Sequence, residues 1–170
     1  MAAERGESIA FSLENRRQHL SQQDAALATE LVYGVLRRRP QLDWLVLRAS
    51  GRLHLPVDPE VATAMRMGAY QLRFLERIPN HAAVSESVDL VKRHGKQSAA
   101  GLVNALLRKL PQLPKNWPDD PTRLSMPAWL LERWRKAWGS EAADAAALAS
   151  MAAPQAYIRA GGSFGRPEDA

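Results

Sequence analysis

The sequence predicts an all-α domain, on three observations. Apolar residues recur at i, i+3, i+4 and i+7 in one segment after another. The 11 prolines fall between those segments and punctuate them. No stretch alternates apolar and polar residues between turn signals, as a half-buried strand would.

The first periodic segment runs from Ser21 to Arg39, with Ala28, Leu31, Val32, Val35 and Leu36 on one face and Ser21, followed by Asp24, as its N-cap. Asp58 and Pro59 open the second as N-cap and first helical residue; its stripe is Val61, Ala64, Met65, Gly68, Leu72 and Leu75. A third, His81 to His94, turns Val84, Val88 and Val91 inward and stops at Gly95. The fourth has the cleanest pattern, Ala99, Leu102, Val103, Leu106, Leu107 and Leu110, between a Ser98 cap and Pro111. A proline-rich connector, Pro111 to Pro121, leads to a helix over Pro127–Trp138, and Gly139–Ser140 separates that from an Ala-rich helix, Glu141 to Ser150. Met65 and Met67 read as core filling. Trp134 and Trp138 at i, i+4, with Trp129 and Leu130 a turn earlier, are expected to pin the C-terminal helix to the bundle.

Gly34, Gly68 and Gly101 stand 34 and 33 residues apart, but their flanks share no register, so a helical repeat is rejected. A glycine inside a helix costs up to ~1 kcal/mol against alanine, which points to close crossings of helix axes at these positions.

A chain of 170 residues buries enough surface to form a core without staples. The absence of cysteine removes thiolate catalysis, Cys-ligated zinc and disulfides, and fits a reducing, cytoplasmic setting. The four histidines include no pair at i, i+3 or i+4, so no metal site is expected. No apolar run approaches the ~18 residues of a membrane span, and the polar opening reads as no secretory signal. The net charge is +5, and all of it lies in residues 1–110, where 16 basic side chains face 11 acidic ones. A basic surface attracts polyanions.

Two catalytic letter patterns fail on context. Gly161-Gly162-Ser163-Phe164-Gly165 spells a nucleophile elbow but lacks the strand and helix that would hold its serine. Gly95-Lys96-Gln97-Ser98 resembles the end of a P-loop, yet Leu90 stands where the first glycine belongs. No strand–glycine-loop–helix unit is present to hold a dinucleotide or S-adenosylmethionine. What remains is basic clusters: Arg16–Arg17, Arg37–Arg38–Arg39, Lys92–Arg93 with Lys96, Arg108–Lys109, and Arg133 with Arg135–Lys136. Singly, such clusters cap helix C-termini; gathered on one face, they would contact the phosphates of a nucleic acid. The turn Gly95–Ser98 adds backbone N–H groups at a helix start beside Lys96, so Lys96 and Ser98 form the best single phosphate contact.

The strings Asp24-Ala25-Ala26-Leu27-Ala28-Thr29-Glu30-Leu31-Val32-Tyr33-Gly34-Val35-Leu36-Arg37-Arg38, Arg66-Met67-Gly68-Ala69-Tyr70-Gln71-Leu72, Ile78-Pro79-Asn80-His81-Ala82-Ala83-Val84-Ser85-Glu86-Ser87-Val88 and Leu102-Val103-Asn104-Ala105-Leu106-Leu107-Arg108 resemble one known domain. It is the NusB-like N-terminal domain of the bacterial small-subunit rRNA cytosine-C5 methyltransferases, the RsmB (Sun, Fmu) family, related to the transcription antitermination factor NusB. The resemblance runs from about Ser8 to Arg159. Arg123-Leu124-Ser125-Met126-Pro127, with Trp129-Leu130 and Arg133-Trp134, looks like the methyltransferase's own connector.

The resemblance implies a NusB-like orthogonal bundle of two three-helix groups and a non-catalytic, rRNA-binding domain, for which the basic clusters and the Gly95–Ser98 turn supply the candidate contacts Arg16, Arg17, Arg37, Arg38, Arg39, Lys92, Arg93, Lys96, Ser98, Arg108 and Lys109. The alternative it leaves is a protein-interaction or antitermination module. It implies further that the chain starts at the family's second helix, leaving an apolar groove where the first would lie. That groove would take a ribosomal protein, another partner or a second copy. S-adenosylmethionine and the catalytic cysteines belong to the family's downstream domain, so no cofactor is expected in this chain. The expected organisation is a disordered stretch over 1–7, a NusB-like core over 8–110, connector and C-terminal helices over 111–150, and a tail or start of a linker over 151–170.

Overall fold

The computed structural model describes residues 8–51 and 58–154 of the chain. The Gly161–Gly165 motif and the first seven residues lie outside them. The described residues are all-α, as expected, with helices α1 (Ile9–Arg17), α2 (Gln22–Arg37), α3 (Arg39–Ser50), α4 (Pro59–Phe74), α5 (Asn80–Arg93), α6 (Ala100–Arg108), α7 (Asp120–Arg123), α8 (Ala128–Trp138) and α9 (Ser140–Ser150).

Local chemistry sets most of the boundaries. Ser21 Oγ accepts from the Asp24 amide at 3.1 Å and Asp58 Oδ1 from the Glu60 amide at 3.1 Å, the two caps expected at α2 and α4. Gly95, at φ +73, ends α5 in the left-handed conformation that a glycine adopts freely. Ser98 is not a cap: it sits inside a 3₁₀ turn, Gln97–Ala99, that precedes α6. The apolar stripe lies wholly in α2, and only the end of the predicted segment, Arg39, belongs to the next helix. Arg38 leaves helical geometry at φ −111, α3 starts at Arg39, and Pro40 sits in its first turn, where a missing N–H costs nothing.

Helix α4 is the hub, in contact with α2, α3, α5 and α6; α4, α5 and α6 touch one another pairwise as one three-helix group. The main core gathers Leu42 and Leu45 from α3, Met65 and Ala69 from α4, Val91 from α5, and Val103 and Leu107 from α6. Each fully buried Leu or Val contributes roughly 1.5–3 kcal/mol of transfer free energy. Leu102 is an exception to the predicted stripe of α6, 39% exposed.

Two of the three glycines do mark close crossings. A Cβ on Gly34 would overlap the Tyr70 ring, so α2 meets α4 there, and a Cβ on Gly68 would lie 2.5 Å from Ser87 Oγ and 2.6 Å from Leu107 Cδ1. Gly101 faces open space and marks none.

A second, smaller core of Leu124, Met126, Leu131 and Ala147 joins the α7 region to α8 and α9, with Leu130 and Trp134 packed on it. Trp129 and Trp138 pin nothing to the bundle: they are 64% and 56% exposed, because Trp129 projects from the outer face of α8 and Trp138 lies at its last turn. The buried amide of Gln41 on α3 ties the two cores, donating to the Arg123 carbonyl at 2.8 Å while its Oε1 accepts from Arg38 at 3.0 Å. Among the described residues no helix is long and apolar enough to cross a membrane.

Candidate nucleic-acid interface

The antiparallel run of α4, α5 and α6 decides where the basic clusters fall. Helices α2, α4 and α6 end at one end of the bundle. There Arg38 stacks over the Phe74 ring at 4.4 Å, and Arg73 donates to the carbonyls of Pro111, at 2.7 Å, and of Leu110. Helix α5 ends at the other, where Lys96 Nζ reaches the α4 cap Asp58 at 2.6 Å. The 16 residues of α4 separate the two ends by about 24 Å. The predicted site residues are therefore not one patch.

At the α5 end every predicted cation has a carboxylate. Lys92 lies 3.4 Å from Asp89, Arg93 3.5 Å from Glu86, and Lys96 2.6 Å from Asp58 and 3.8 Å from Glu60. The hydrogen bond with Glu60, followed by that from Lys96, holds the Asp58 carboxyl down at about 2, and Asp58 in turn raises Lys96. Two of the four N–H groups expected to be free are taken: Gly95 donates to the Lys92 carbonyl at 3.0 Å and Lys96 to that of Val91 at 2.9 Å. The Lys96–Ser98 anion site thus loses its premise, since its charge is neutralised and two of its donors are engaged.

The opposite end differs. Arg37 lies over the Tyr33 ring at 5.8 Å, Arg108 bonds only the neutral Asn104 at 3.0 Å, and Lys109 is exposed; among the described residues none of the three has a carboxylate partner. Their positions at the last turns of α2 and α6 add the negative ends of two helix dipoles behind them, which favours cations there. Arg38 is not a free contact. It is half-buried between Phe74 and Gln41, and loss of solvent lowers its pKa. It holds the end together.

Arg77, which the doublet pattern overlooked, follows α4 at this same end, exposed and without a carboxylate partner among the described residues; Glu76 beside it is the nearby acid. It stands alone in sequence, four residues past Arg73, which reaches the end of α6.

Arg16, Arg17 and Arg39 lie apart from both ends. Arg17 pairs with Glu14 at 3.3 Å, while Arg39, 3.9 Å from Asp43, and Arg16 line a groove between α1, α2 and α4. Arg135 is committed to Asp120 and Asp144, each at 2.7 Å, and Arg133 and Lys136 remain exposed on α8. No group of three or more His, Cys, Asp and Glu among the described residues is placed to hold a metal ion.

Residues 2–112 match the model of the NusB family. The chain belongs to that family. The NusB-family match ends just past α6, so it covers the hub helix and both cationic ends but not the α7–α9 unit. Curated relatives extend further. The ribosomal RNA small subunit methyltransferase B of Erwinia tasmaniensis is 35% identical over 142 residues, 81% of this chain and 33% of the relative. The probable enzyme of that name from Bacillus subtilis is 34% identical over 148 residues, 82% of this chain and 33% of the relative, and that of Thermus thermophilus 45% identical over 127, 75% and 30%. The chain spans about a third of the length of these relatives.

Proposed function

We propose that this chain is a non-catalytic, rRNA-binding domain serving a cytosine-C5 methyltransferase of the small ribosomal subunit, in the cytoplasm. The observation that carries the reading is the open cationic end, where half-buried Arg37 and exposed Arg77, Arg108 and Lys109 meet no carboxylate among the described residues. Such an end neutralises phosphates and releases their counterions, which makes binding fall with salt. Arg38 on Phe74 and Arg73 on the α6 terminus tie together the helix ends from which these cations project.

Methyl transfer to a pyrimidine C5 needs a cysteine nucleophile and S-adenosylmethionine. These 170 residues contain no cysteine, so their part is to hold and orient RNA while other residues supply the chemistry. Filter binding of small-subunit rRNA hairpins tests the reading. The affinity is expected to fall steeply between about 50 and 200 mM salt. An affinity indifferent to salt, or no binding at the lower concentration, would refute it.

A further inference from the structure

Helices α1, α2 and α4 enclose a trough of about 330 Å³ whose apolar walls meet no covering element among the described residues. Helix α1 points residues 9, 12, 13 and 16 into it, the i, i+3, i+4, i+7 face by which a helix normally enters a core. Ile9 and Leu13 on α1, Val32 and Leu36 on α2 and Met67 on α4 form the walls, and Leu36 is 41% exposed. Helix α1 accordingly buries none of its residues fully.

The charge of the trough is one-sided. Arg16, Arg39 and Arg66 line it and no carboxylate does. Asp43 lies behind, taking Arg66 at 2.6 and 3.2 Å and Arg39 at 3.9 Å, which leaves the set with a net positive charge. Arg16 is exposed, with no carboxylate partner among the described residues.

From this geometry we infer that the trough is a docking site for an amphipathic helix of a partner protein, with an apolar stripe at i, i+3 or i+4 and i+7 and Asp or Glu residues flanking it. A helix laid between three helices buries its stripe against the walls, and its flanking carboxylates reach the arginines at the rim. A nucleic-acid strand fits poorly, because aliphatic walls would strip water from phosphates without replacing its hydrogen bonds.

Two synthetic helical peptides with the same leucine stripe, one flanked by Glu and one by Lys, test the site by fluorescence anisotropy on the full chain. The Glu-flanked peptide is expected to bind about tenfold more tightly at low salt, with the difference narrowing as salt rises. Ser12→Trp, which fills the trough, should abolish binding. Arg16→Glu, an exposed change whose folding circular dichroism verifies, should shift the preference towards the Lys-flanked peptide. Equal affinities, no binding of either peptide, or binding indifferent to Ser12→Trp would overturn the inference. So would a sedimentation dimer broken by Ser12→Trp, or displacement of the peptide by an RNA hairpin, each of which gives the trough to another occupant. The trough and the open cationic end fail separately, since neither peptide nor Ser12→Trp touches Arg37, Arg77, Arg108 or Lys109.

Discussion

The two ends of α4 treat their cations in opposite ways. At its N-terminal end Lys92, Arg93 and Lys96 each face a carboxylate, and the charge closes on itself. At its C-terminal end Arg73 and Arg38 are spent on carbonyls and an aromatic ring, while Arg37, Arg77, Arg108 and Lys109 meet no carboxylate among the described residues. A run of basic letters is therefore not a binding site in itself. The partner that the fold sets opposite each cation decides whether it contributes to the field felt by a polyanion.

The largest expected effect separates the ends directly. Replacing Arg37, Arg77, Arg108 and Lys109 by Gln should flatten the dependence of rRNA-hairpin affinity on log salt by about 0.7–0.9 for each cation that touches a phosphate. The matched change of Lys92, Arg93 and Lys96 to Gln should leave that slope within about one unit of the parent. Filter binding between about 50 and 200 mM salt reads both. Equal slopes for the two variants would erase the distinction.

Next in size are changes at the helix glycines. Gly34→Ala pushes a methyl into the Tyr70 ring and should cost about 1–3 kcal/mol in urea unfolding. Gly101→Ala meets open space and should stabilise by about 0.5–1 kcal/mol, because alanine is the better helix former.

Tyr70→Phe tests the same crossing more gently. The Tyr70 hydroxyl donates to Glu30 at 2.5 Å, and its removal should cost about 1–2 kcal/mol. Burial, with the Glu30 hydrogen bond second, pushes the Tyr70 hydroxyl up to about 12. The folded state holds its proton more tightly than the unfolded chain, so the added stability is complete below about pH 10 and is lost as pH climbs towards 12. Tyr70→Phe should remove that alkaline loss from a series of urea melts.

The closed end should respond least. Lys96→Met removes an exposed pair, and its urea midpoint should fall by less than that of Tyr70→Phe. Asp58, held at about 2, works in the opposite pH direction. Its contribution is present above the unfolded value of about 3.9 and fades as pH falls through about 2. In Lys96→Met that acid-side fade should shrink, since one of the bonds holding Asp58 ionised is gone.

The helical class, the α2 and α4 caps, the Gly95 stop and two of the three glycine crossings were legible in the sequence, because each rests on contacts within a few residues or on the size of one side chain. Helix α3 was not: the first predicted segment stops at Arg39, and no helix is predicted over the stretch that buries Leu42, Leu45 and Val46. Ser98 shows the limit of cap letters, because a 3₁₀ turn absorbed it before α6 began. The basic doublets were visible, but their carboxylates were not: Asp58 lies 38 positions from Lys96 and closes on it only through the α4–α5 hairpin. Arg77 was missed for the converse reason, a lone arginine made part of a group by tertiary structure. The trough of α1, α2 and α4, with its three arginines and no lining acid, comes from the fold.

Chemical-shift mapping of arginine and lysine side chains during titration with a small-subunit rRNA hairpin is the most direct test of the central claim. The predicted result is a set of shifts at Arg37, Arg77, Arg108 and Lys109, with Lys92, Arg93 and Lys96 still. Shifts centred on the Lys92–Ser98 segment, with the α2 and α6 termini unmoved, would contradict it.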